Sequence, residues 1–333
     1  MERTSLGPLS VSSLALGAML FGSTTEESQS RRLLDGYVGG GGNFIDTSNN
    51  YAFWPANGRS GASEELLGRW LKDRGRRDDV VIATKTGALP SRPGVGLEDI
   101  QGLGKETIIR DIDDSLRRLG TDHVDLYYAH IDDRTTPLEE TLAGFDAVVR
   151  AGKVRAIACS NHAVWRIERA RQLSRQLGFA EYVGLQQHFS YFRPRPDSDL
   201  KRNATMGMRG GWGTEGGLRG QHLDYIRFNP EFRVIAYSPL LRGAYHDPDR
   251  LEAQLRTDDN ARRRVALEAV AGELGATAGQ VVLAWMLAST PAVIPLMAVS
   301  SEAQLAENLA AATLTLTQEQ MQRLDTATEE TAP

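Results

Sequence analysis

The chain has 333 residues, of which 41% are hydrophobic and 24% are charged, so its composition is that of a globular protein and not of a disordered one. The formal net charge of −5 argues against duplex nucleic acid as a partner, because proteins that bind it present a basic face. The N-terminus lacks an apolar signal core and no apolar run reaches the roughly 18 residues of a membrane span, so we expect a cytoplasmic protein. The single cysteine, Cys159, excludes an intrachain disulfide and fits the same compartment.

In chain order, the first predicted element is a hairpin over residues 4–12, where two short β-like runs flank Gly7 and Pro8. Short apolar runs then alternate with longer helical patterns to the end of the chain. The predicted strands cover residues 14–16, 43–46, 80–84, 124–128, 154–159, 183–186, 233–237 and 293–296. The predicted helices cover residues 27–38, 63–73, 105–118, 138–150, 164–176, 223–228, 261–274 and 302–311.

Several helix ends carry local sequence features. Ser63 is in position to cap the second helix, and Gly120, Gly152 and Gly178 each follow a helical run, as C-terminal glycines do. Residues 281–288 form one of the longest apolar stretches, which is too short for a membrane span and predicts a core helix or strand.

Eight alternations of strand and helix, with nearly continuous apolar strands, predict a parallel sheet that is buried on both faces. A closed (β/α)8 TIM barrel is the simplest such fold, here as one domain over residues 1–333, with the N-terminal hairpin plugging its bottom. Residues 53–61 and 193–219 interrupt the alternation and predict long loops at the C-terminal mouth, which are either functional or disordered.

Four residues with side chains suited to proton transfer follow the predicted strands. Asp46 and Lys85 close two of them, His130 follows a third, and Tyr51 lies five residues beyond Asp46. In a barrel, all four would lie at the C-terminal mouth, where barrel enzymes carry their active sites. Taken singly, each has an ordinary structural interpretation, such as a solvated lysine or a core histidine.

Together these four residues form a proton-transfer group. A free tyrosine has a pKa near 10, which is too high for efficient acid–base work at neutral pH, and a neighbouring ammonium lowers it. Asp46 would supply the counter-charge of a buried Lys85, and a neutral His130 could donate a hydrogen bond to a substrate carbonyl.

The motifs around these residues resemble the aldo-keto reductase superfamily, in the branch similar to potassium-channel β subunits. The resemblance is carried first by Phe44-Ile45-Asp46-Thr47 with Tyr51, by Thr84-Lys85-Thr86-Gly87 and by Tyr127-Tyr128-Ala129-His130. It continues through Cys159-Ser160-Asn161-His162, Gln186, Ala236-Tyr237-Ser238-Pro239-Leu240, Ile294-Pro295 and Glu307-Asn308, and so covers nearly the whole chain.

The resemblance implies a nicotinamide cofactor extended over the barrel mouth, with NADP(H) favoured and NAD(H) possible. The residues that it assigns to the cofactor are Met19 at the cofactor side, Ser160, Asn161 and Gln186 at the nicotinamide amide, Tyr237 stacked on its ring, Ser238, Pro239 and Leu240 at the pyrophosphate, and Ser300, Gln304, Glu307 and Asn308 at the adenosine. This chain departs from many relatives at Ser300, where an arginine or lysine would pair with the 2′-phosphate, and Arg242 or Arg250 could substitute for it.

The resemblance implies an NAD(P)H-dependent oxidoreductase that interconverts an aldehyde, ketone or keto-sugar with an alcohol. A non-catalytic, cofactor-sensing subunit remains open as an alternative, as does a lyase or isomerase on the same barrel. Phe21, Trp54 and Trp212 are candidates for an apolar wall that binds a bulky cyclic or glycosyl substrate, with surface decoration as an equal alternative for the two loops. Histidine and cysteine are too scattered to predict a metal site, and the oligomeric state stays open.

Overall fold

Eight parallel strands close into a barrel, in agreement with the predicted fold class. The computed structural model describes residues 1–52, 59–92, 95–96, 99–194 and 220–328. The barrel strands follow one another around the ring in chain order, and the last pairs with the first. They are β3 (Ala15–Gly17), β4 (Phe44–Asp46), β5 (Val81–Thr86), β6 (Val124–Ala129), β7 (Val154–Ser160), β8 (Tyr182–His188), β9 (Arg233–Tyr237) and β10 (Val293–Met297).

The N-terminal hairpin is present and closes one end of the barrel. Its strands β1 (Arg3–Leu6) and β2 (Leu9–Ser12) pair antiparallel around Gly7, whose φ of +56° is left-handed. A Cβ at Gly7 would lie 2.5 Å from Cγ1 of Val183, so the turn needs glycine for its space as well as its conformation. Leu6 and Val11 pack with the inward-facing side chains of the barrel strands, which confirms the predicted plug.

Ten α-helices lie in the described part of the chain. They are α1 (Glu27–Gly39), α2 (Ala62–Arg74), α3 (Lys105–Leu119), α4 (Leu138–Arg150), α5 (Val164–Leu177), α6 (Gly220–Phe228), α7 (Asp258–Leu274), α8 (Ala278–Ala288), α9 (Glu302–Ala310) and α10 (Gln318–Asp325). Eight of them match predicted helices. The apolar stretch over residues 281–288 belongs to α8 and is helical, while α10 was not predicted.

The prediction that Ser63 caps the second helix is wrong. Gly61 precedes α2 in a left-handed conformation, and the Ser63 hydroxyl instead donates to the carbonyl of Ala18. The predicted C-terminal glycines are confirmed at two helices, because Gly120 and Gly178 end α3 and α5 in left-handed conformations.

The apolar core has two layers. One fills the barrel interior, and a larger one lies between the barrel and the surrounding helices, where it includes Trp70, Trp285 and Cys159. Among the described residues no single helix is long and apolar enough to cross a membrane, although α7 and α8 pass that test jointly across a bend of 96°.

Candidate active site

Lys85 is the centre of a buried group at the mouth of the barrel. Its side chain is fully buried, and its Nζ donates to the hydroxyl of Tyr51 at 2.8 Å and to the carbonyl of Thr47 at 2.7 Å. The third contact is an ion pair with Oδ1 of Asp46, whose side chain is also fully buried. Three donors therefore meet three acceptors, and the ammonium is completely satisfied without water.

The parallel register of the barrel brings these side chains together. Asp46 ends β4, Lys85 lies near the end of the neighbouring β5, and His130 follows directly on β6. Since the carboxyl ends of parallel strands share one edge, the three side chains emerge at the same face. Tyr51 reaches this face through a tight turn in which its N–H donates to the carbonyl of Ser48.

Burial sets the protonation states of the group. It lowers the pKa of Lys85 and raises the pKa of Asp46, while the attraction between the two charges opposes both shifts. Burial also raises the pKa of Tyr51 well above its usual value, and the nearby carboxylate of Asp46 adds to this shift. The sequence-based expectation of a lowered pKa is therefore not met, and Tyr51 is a protonated phenol at neutral pH.

His130 lies beside Tyr51 and is almost fully buried. The two rings meet edge to face, with their centroids 6.1 Å apart. Burial lowers the pKa of His130 well below its usual value, and the charge of Lys85 acts in the same direction. The ring is therefore neutral at physiological pH. Its Nδ1 lies 3.2 Å from the hydroxyl oxygen of Ser48.

The residues predicted for the nicotinamide end form one hydrogen-bonded network with this group. Gln186 donates to Oδ2 of Asp46 at 2.8 Å, and the hydroxyl of Ser160 donates to the carbonyl of Gln186 at 2.9 Å. Asn161 donates to that same hydroxyl and accepts at 2.9 Å from the hydroxyl of Tyr237. The ends of β7, β8 and β9 are thus linked to the catalytic candidates.

The segment after β9 has an unusual backbone. Ser238, Leu241 and Arg242 all have left-handed φ angles, between 49° and 56°, although none is glycine. Such conformations are costly, and they cluster at ligand sites. Pro239 is buried and Leu240 half-buried within the same turn. Within the turn, the N–H groups of Leu241 and Gly243 donate to the carbonyls of Ser238 and Leu240.

The predicted adenosine residues lie around α9. Ser300 donates from its N–H and its hydroxyl to Oε1 of Gln304, at 2.9 and 3.0 Å, and both side chains are exposed. Oε1 of Glu307 accepts from Thr277 at 2.7 Å and lies 3.2 Å from Nε2 of His246, whereas Asn308 is buried.

The remaining predicted residues are less informative. Met19 is half-buried, and Phe21 is fully buried in the larger apolar cluster. Trp54, Trp212 and most of the two predicted long loops lie outside the described residues. In the described ranges there is no group of three or more histidine, cysteine, aspartate or glutamate residues that could hold a metal ion.

Sequence reasoning missed the polar segment between Asp46 and Tyr51. Ser48, Asn49 and Asn50 are all buried there, and Asn49 donates to Oδ2 of Asp111 at 3.0 Å. A run of consecutive polar residues directly after a buried strand was the sequence feature that could have drawn attention to them. Thr277 was also missed, although its spacing to Gln280 is that of a capping box.

Comparison with known proteins decides the family. The profile described as Aldo/keto reductase family matches residues 13–206 and 221–329. This chain belongs to the aldo/keto reductase family.

Individual relatives from this family match nearly the whole length of the chain. An uncharacterized oxidoreductase, YrpG, from Bacillus subtilis is 33% identical, over 98% of this chain and 95% of its own length. An aryl-alcohol dehydrogenase [NADP(+)] from Phanerodontia chrysosporium is 29% identical, over 95% and 82%. The solved structure of the thermostable aldo-keto reductase Tm1743 with the inhibitor epalrestat superimposes with a TM-score of 0.72 at 28% identity, covering 98% of this chain and 100% of the other.

Proposed function

We propose that this aldo/keto reductase is an NAD(P)H-dependent oxidoreductase that interconverts a carbonyl compound and its alcohol. The observation that carries the proposal is the buried contact between Lys85 and the hydroxyl of Tyr51, with Asp46 as counter-ion. A tyrosine held at a barrel mouth by a fully satisfied ammonium is suited to move a proton to or from a substrate oxygen.

The residues present fit a nicotinamide cofactor. The left-handed backbone at Ser238, Leu241 and Arg242 suits the pyrophosphate, and the linked Ser160, Asn161 and Gln186 suit the amide of the nicotinamide. Such a cofactor would supply or accept the hydride. NADP(H) is favoured and NAD(H) is possible. An NADP(+) enzyme among the relatives supports this preference, and Ser300 weakens it.

In the direction of reduction, Tyr51 donates its phenolic proton to the carbonyl oxygen while the carbonyl carbon takes up hydride. Lys85 donates to the oxygen of Tyr51 and stabilises the phenolate that remains. Asp46 keeps Lys85 charged, and Gln186 holds the second oxygen of Asp46. In the reverse direction, the phenolate of Tyr51 removes the proton from the alcohol. The neutral ring of His130, beside Tyr51, orients the substrate by donating a hydrogen bond to its carbonyl oxygen.

For the substrate, we propose a carbonyl compound with a bulky ring. The names of two relatives support this class, the aryl-alcohol dehydrogenase and a norsolorinic acid reductase from Aspergillus parasiticus that is 28% identical over 96% of this chain. We retain Trp54 and Trp212 as the proposed apolar wall. Phe21 is no longer part of it, because its side chain is fully buried in the larger apolar cluster.

The test is a turnover assay of the purified protein with NADPH or NADH and a panel of aromatic aldehydes, ketones and keto-sugars. We expect loss of cofactor absorbance matched one to one by alcohol, and Tyr51→Phe serves as the control for background reduction. Cofactor binding without turnover on any member would instead support the cofactor-sensing subunit. Product formed with unchanged cofactor absorbance would indicate a lyase or isomerase.

A further inference from the structure

Asp111 is a buried acidic residue on α3 that joins two segments of the candidate active site. It is only 3% exposed. Its Oδ2 accepts a hydrogen bond from the side-chain amide of Asn49 at 3.0 Å and another from the hydroxyl of Thr86 at 2.7 Å. One carboxylate oxygen therefore holds donors from two segments that are distant in the sequence.

The two donors flank the pair formed by Tyr51 and Lys85. Successive residues of a strand face opposite sides, so Lys85 points to the barrel mouth while Thr86, the next residue of β5, points to α3. Asn49 lies in the turn that leads from β4 to Tyr51. The main chain joins the same two segments loosely, because the N–H of Asn49 lies 3.4 Å from the carbonyl oxygen of Lys85. The carboxylate of Asp111 therefore ties the turn of Tyr51 to the strand of Lys85 from outside the barrel.

The charge of this carboxylate is weakly compensated. Its Oδ1 pairs with Arg110 at 3.1 Å, but the side chain of Arg110 is 53% exposed and also donates to Gln101. An ion pair with an exposed partner stabilises little, whereas a buried carboxylate is costly unless its oxygens accept hydrogen bonds. Asn49 adds a further cost, because its amide oxygen is buried and has no hydrogen-bond partner among the described residues. The hydrogen bonds from Asn49 and Thr86 are therefore the contacts that make a carboxylate at this position tolerable.

We propose that Asp111 is a positioning residue, which holds the turn before Tyr51 against the end of β5 and so keeps the hydroxyl of Tyr51 at hydrogen-bond distance from Nζ of Lys85. It acts on this pair through Asn49 and Thr86. A displacement of about 1 Å at a reacting group can lower a rate by about a hundredfold, so a link outside the mouth is sufficient to affect turnover. The inference rests on the proposed function only for the expected loss of turnover.

The direct test is the fluorine-19 spectrum of the full-length protein labelled with 3-fluorotyrosine, with Tyr51→Phe identifying the signal of Tyr51. Asp111→Ala removes the acceptor of both donors and should shift or broaden this signal. Asp111→Asn keeps one oxygen for the two donors and turns its amide group towards Arg110, which is exposed enough to move away. The signal of Tyr51 in Asp111→Asn should therefore stay close to its wild-type position.

Two further variants each remove one side of the link, so the test does not depend on the folding of Asp111→Ala. Thr86→Val keeps the shape of the side chain and removes the hydroxyl that donates to Asp111. Asn49→Ala removes the other donor together with the unpaired amide oxygen, so its cost in stability should be small. Both variants should also shift or broaden the signal of Tyr51.

Asp146→Ala is the matched control. Asp146 is a buried acidic residue on α4 that accepts from the N–H of Ala180 and pairs with Arg150. Its removal should leave the signal of Tyr51 unchanged. An unchanged Tyr51 signal in Asp111→Ala and Thr86→Val would overturn the positioning role. This spectrum needs no turnover, so its failure is distinct from failure of the proposed function.

The consequence for turnover is measured in a single turnover of NADPH-loaded protein with an aromatic aldehyde. Asp111→Ala should lower the rate by about tenfold to a hundredfold, because the proton donor is misplaced, and leave the Kd for NADPH unchanged. Asp111→Asn and Asp146→Ala should retain most of the wild-type rate. Equal rates in Asp111→Ala and Asp111→Asn would overturn the proposal, whereas a wild type without turnover would count against the proposed function alone.

Discussion

At the scale of single residues, the account depends on how Lys85 is held. Its ammonium is fully buried and meets three acceptors, one of which is the carboxylate of Asp46. Removal of one member of a buried ion pair leaves the other charge uncompensated, which costs far more than the loss of a surface pair. Lys85 and Asp46 should therefore be coupled in stability as well as in catalysis.

Asp46→Asn should lower the free energy of unfolding by about 3 to 5 kcal/mol, because it strips a buried ammonium of its counter-charge. Asp73→Asn is the matched control, since Asp73 pairs with Arg31 while its side chain is 65% exposed. That change should cost at most about 1 kcal/mol. Urea unfolding measures the free energy of unfolding of both variants. Equal losses would show that the buried counter-charge contributes no more to stability than the surface one.

The raised pKa of Tyr51 predicts different pH dependences for the two directions of reaction. Burial and Asp46 keep the phenol protonated at neutral pH, which is the form that reduction needs. Oxidation needs the phenolate, whose population grows about tenfold per pH unit below the pKa. We expect kcat for alcohol oxidation to rise steeply from about pH 6 to about pH 9, with kcat for reduction nearly flat. A flat profile for oxidation would mean that proton removal by Tyr51 does not limit the rate.

At the scale of elements, the barrel strands and most helices could be predicted because their apolar patterns match their burial. β9 and α4 have the predicted bounds. α10 was missed because only Met321 and Leu324 in it are apolar, and its start depends on a capping box at Thr317. The prediction for Ser63 was wrong because its hydroxyl donates to the carbonyl of Ala18, a tertiary contact, instead of capping the helix.

The candidate site could be predicted in part from the ends of the predicted strands. Strand ends locate Asp46, Lys85 and His130, and the barrel then brings them together without further information. The contact of Ser48 with His130 could not be predicted, because it joins two loops 82 residues apart in the sequence. Nor could the raised pKa of Tyr51, because burial and the carboxylate of Asp46 raise it only in the folded protein.

The N-terminus of α9 should decide the choice of cofactor. Ser300 and Gln304 bond to each other there, and we propose that Ser300 lies at the position that would face the 2′-phosphate. We expect NADPH to bind more tightly than NADH in the wild type. Ser300→Arg should tighten NADPH by about tenfold or more, through a charge-assisted hydrogen bond, and leave NADH unchanged. Fluorescence titration measures both cofactors, and an equal gain for the two would place the 2′-phosphate elsewhere.

At the scale of the whole molecule, burial of histidine links stability to pH. The chain has six histidines, and burial lowers the pKa of His130, His162, His188 and His222. Below the unfolded value of 6.5, the unfolded chain binds protons that the folded protein does not, so stability falls as the pH falls through this range.

Each buried histidine of this kind contributes at most about 1.4 kcal/mol per pH unit to the pH dependence of the free energy of unfolding. The free energy of unfolding should therefore decrease between about pH 6.5 and about pH 5, before most carboxylates titrate. His162→Asn should reduce this slope, and His246→Asn, at a half-exposed position, is the matched control. Urea unfolding at several pH values gives the slopes, and a slope near zero in the wild type would contradict the linkage.

The central claim is that Tyr51 delivers the proton in carbonyl reduction, and single-turnover kinetics of Tyr51→Phe test it most directly. Protein loaded with NADPH is mixed with an aromatic aldehyde, and the decay of cofactor absorbance reports the chemical step. General acid catalysis is worth about two to four powers of ten, so the rate should fall by such a factor while the Kd for NADPH stays within about twofold. Wild-type decay in Tyr51→Phe would remove Tyr51 from the mechanism and with it the function proposed for this site.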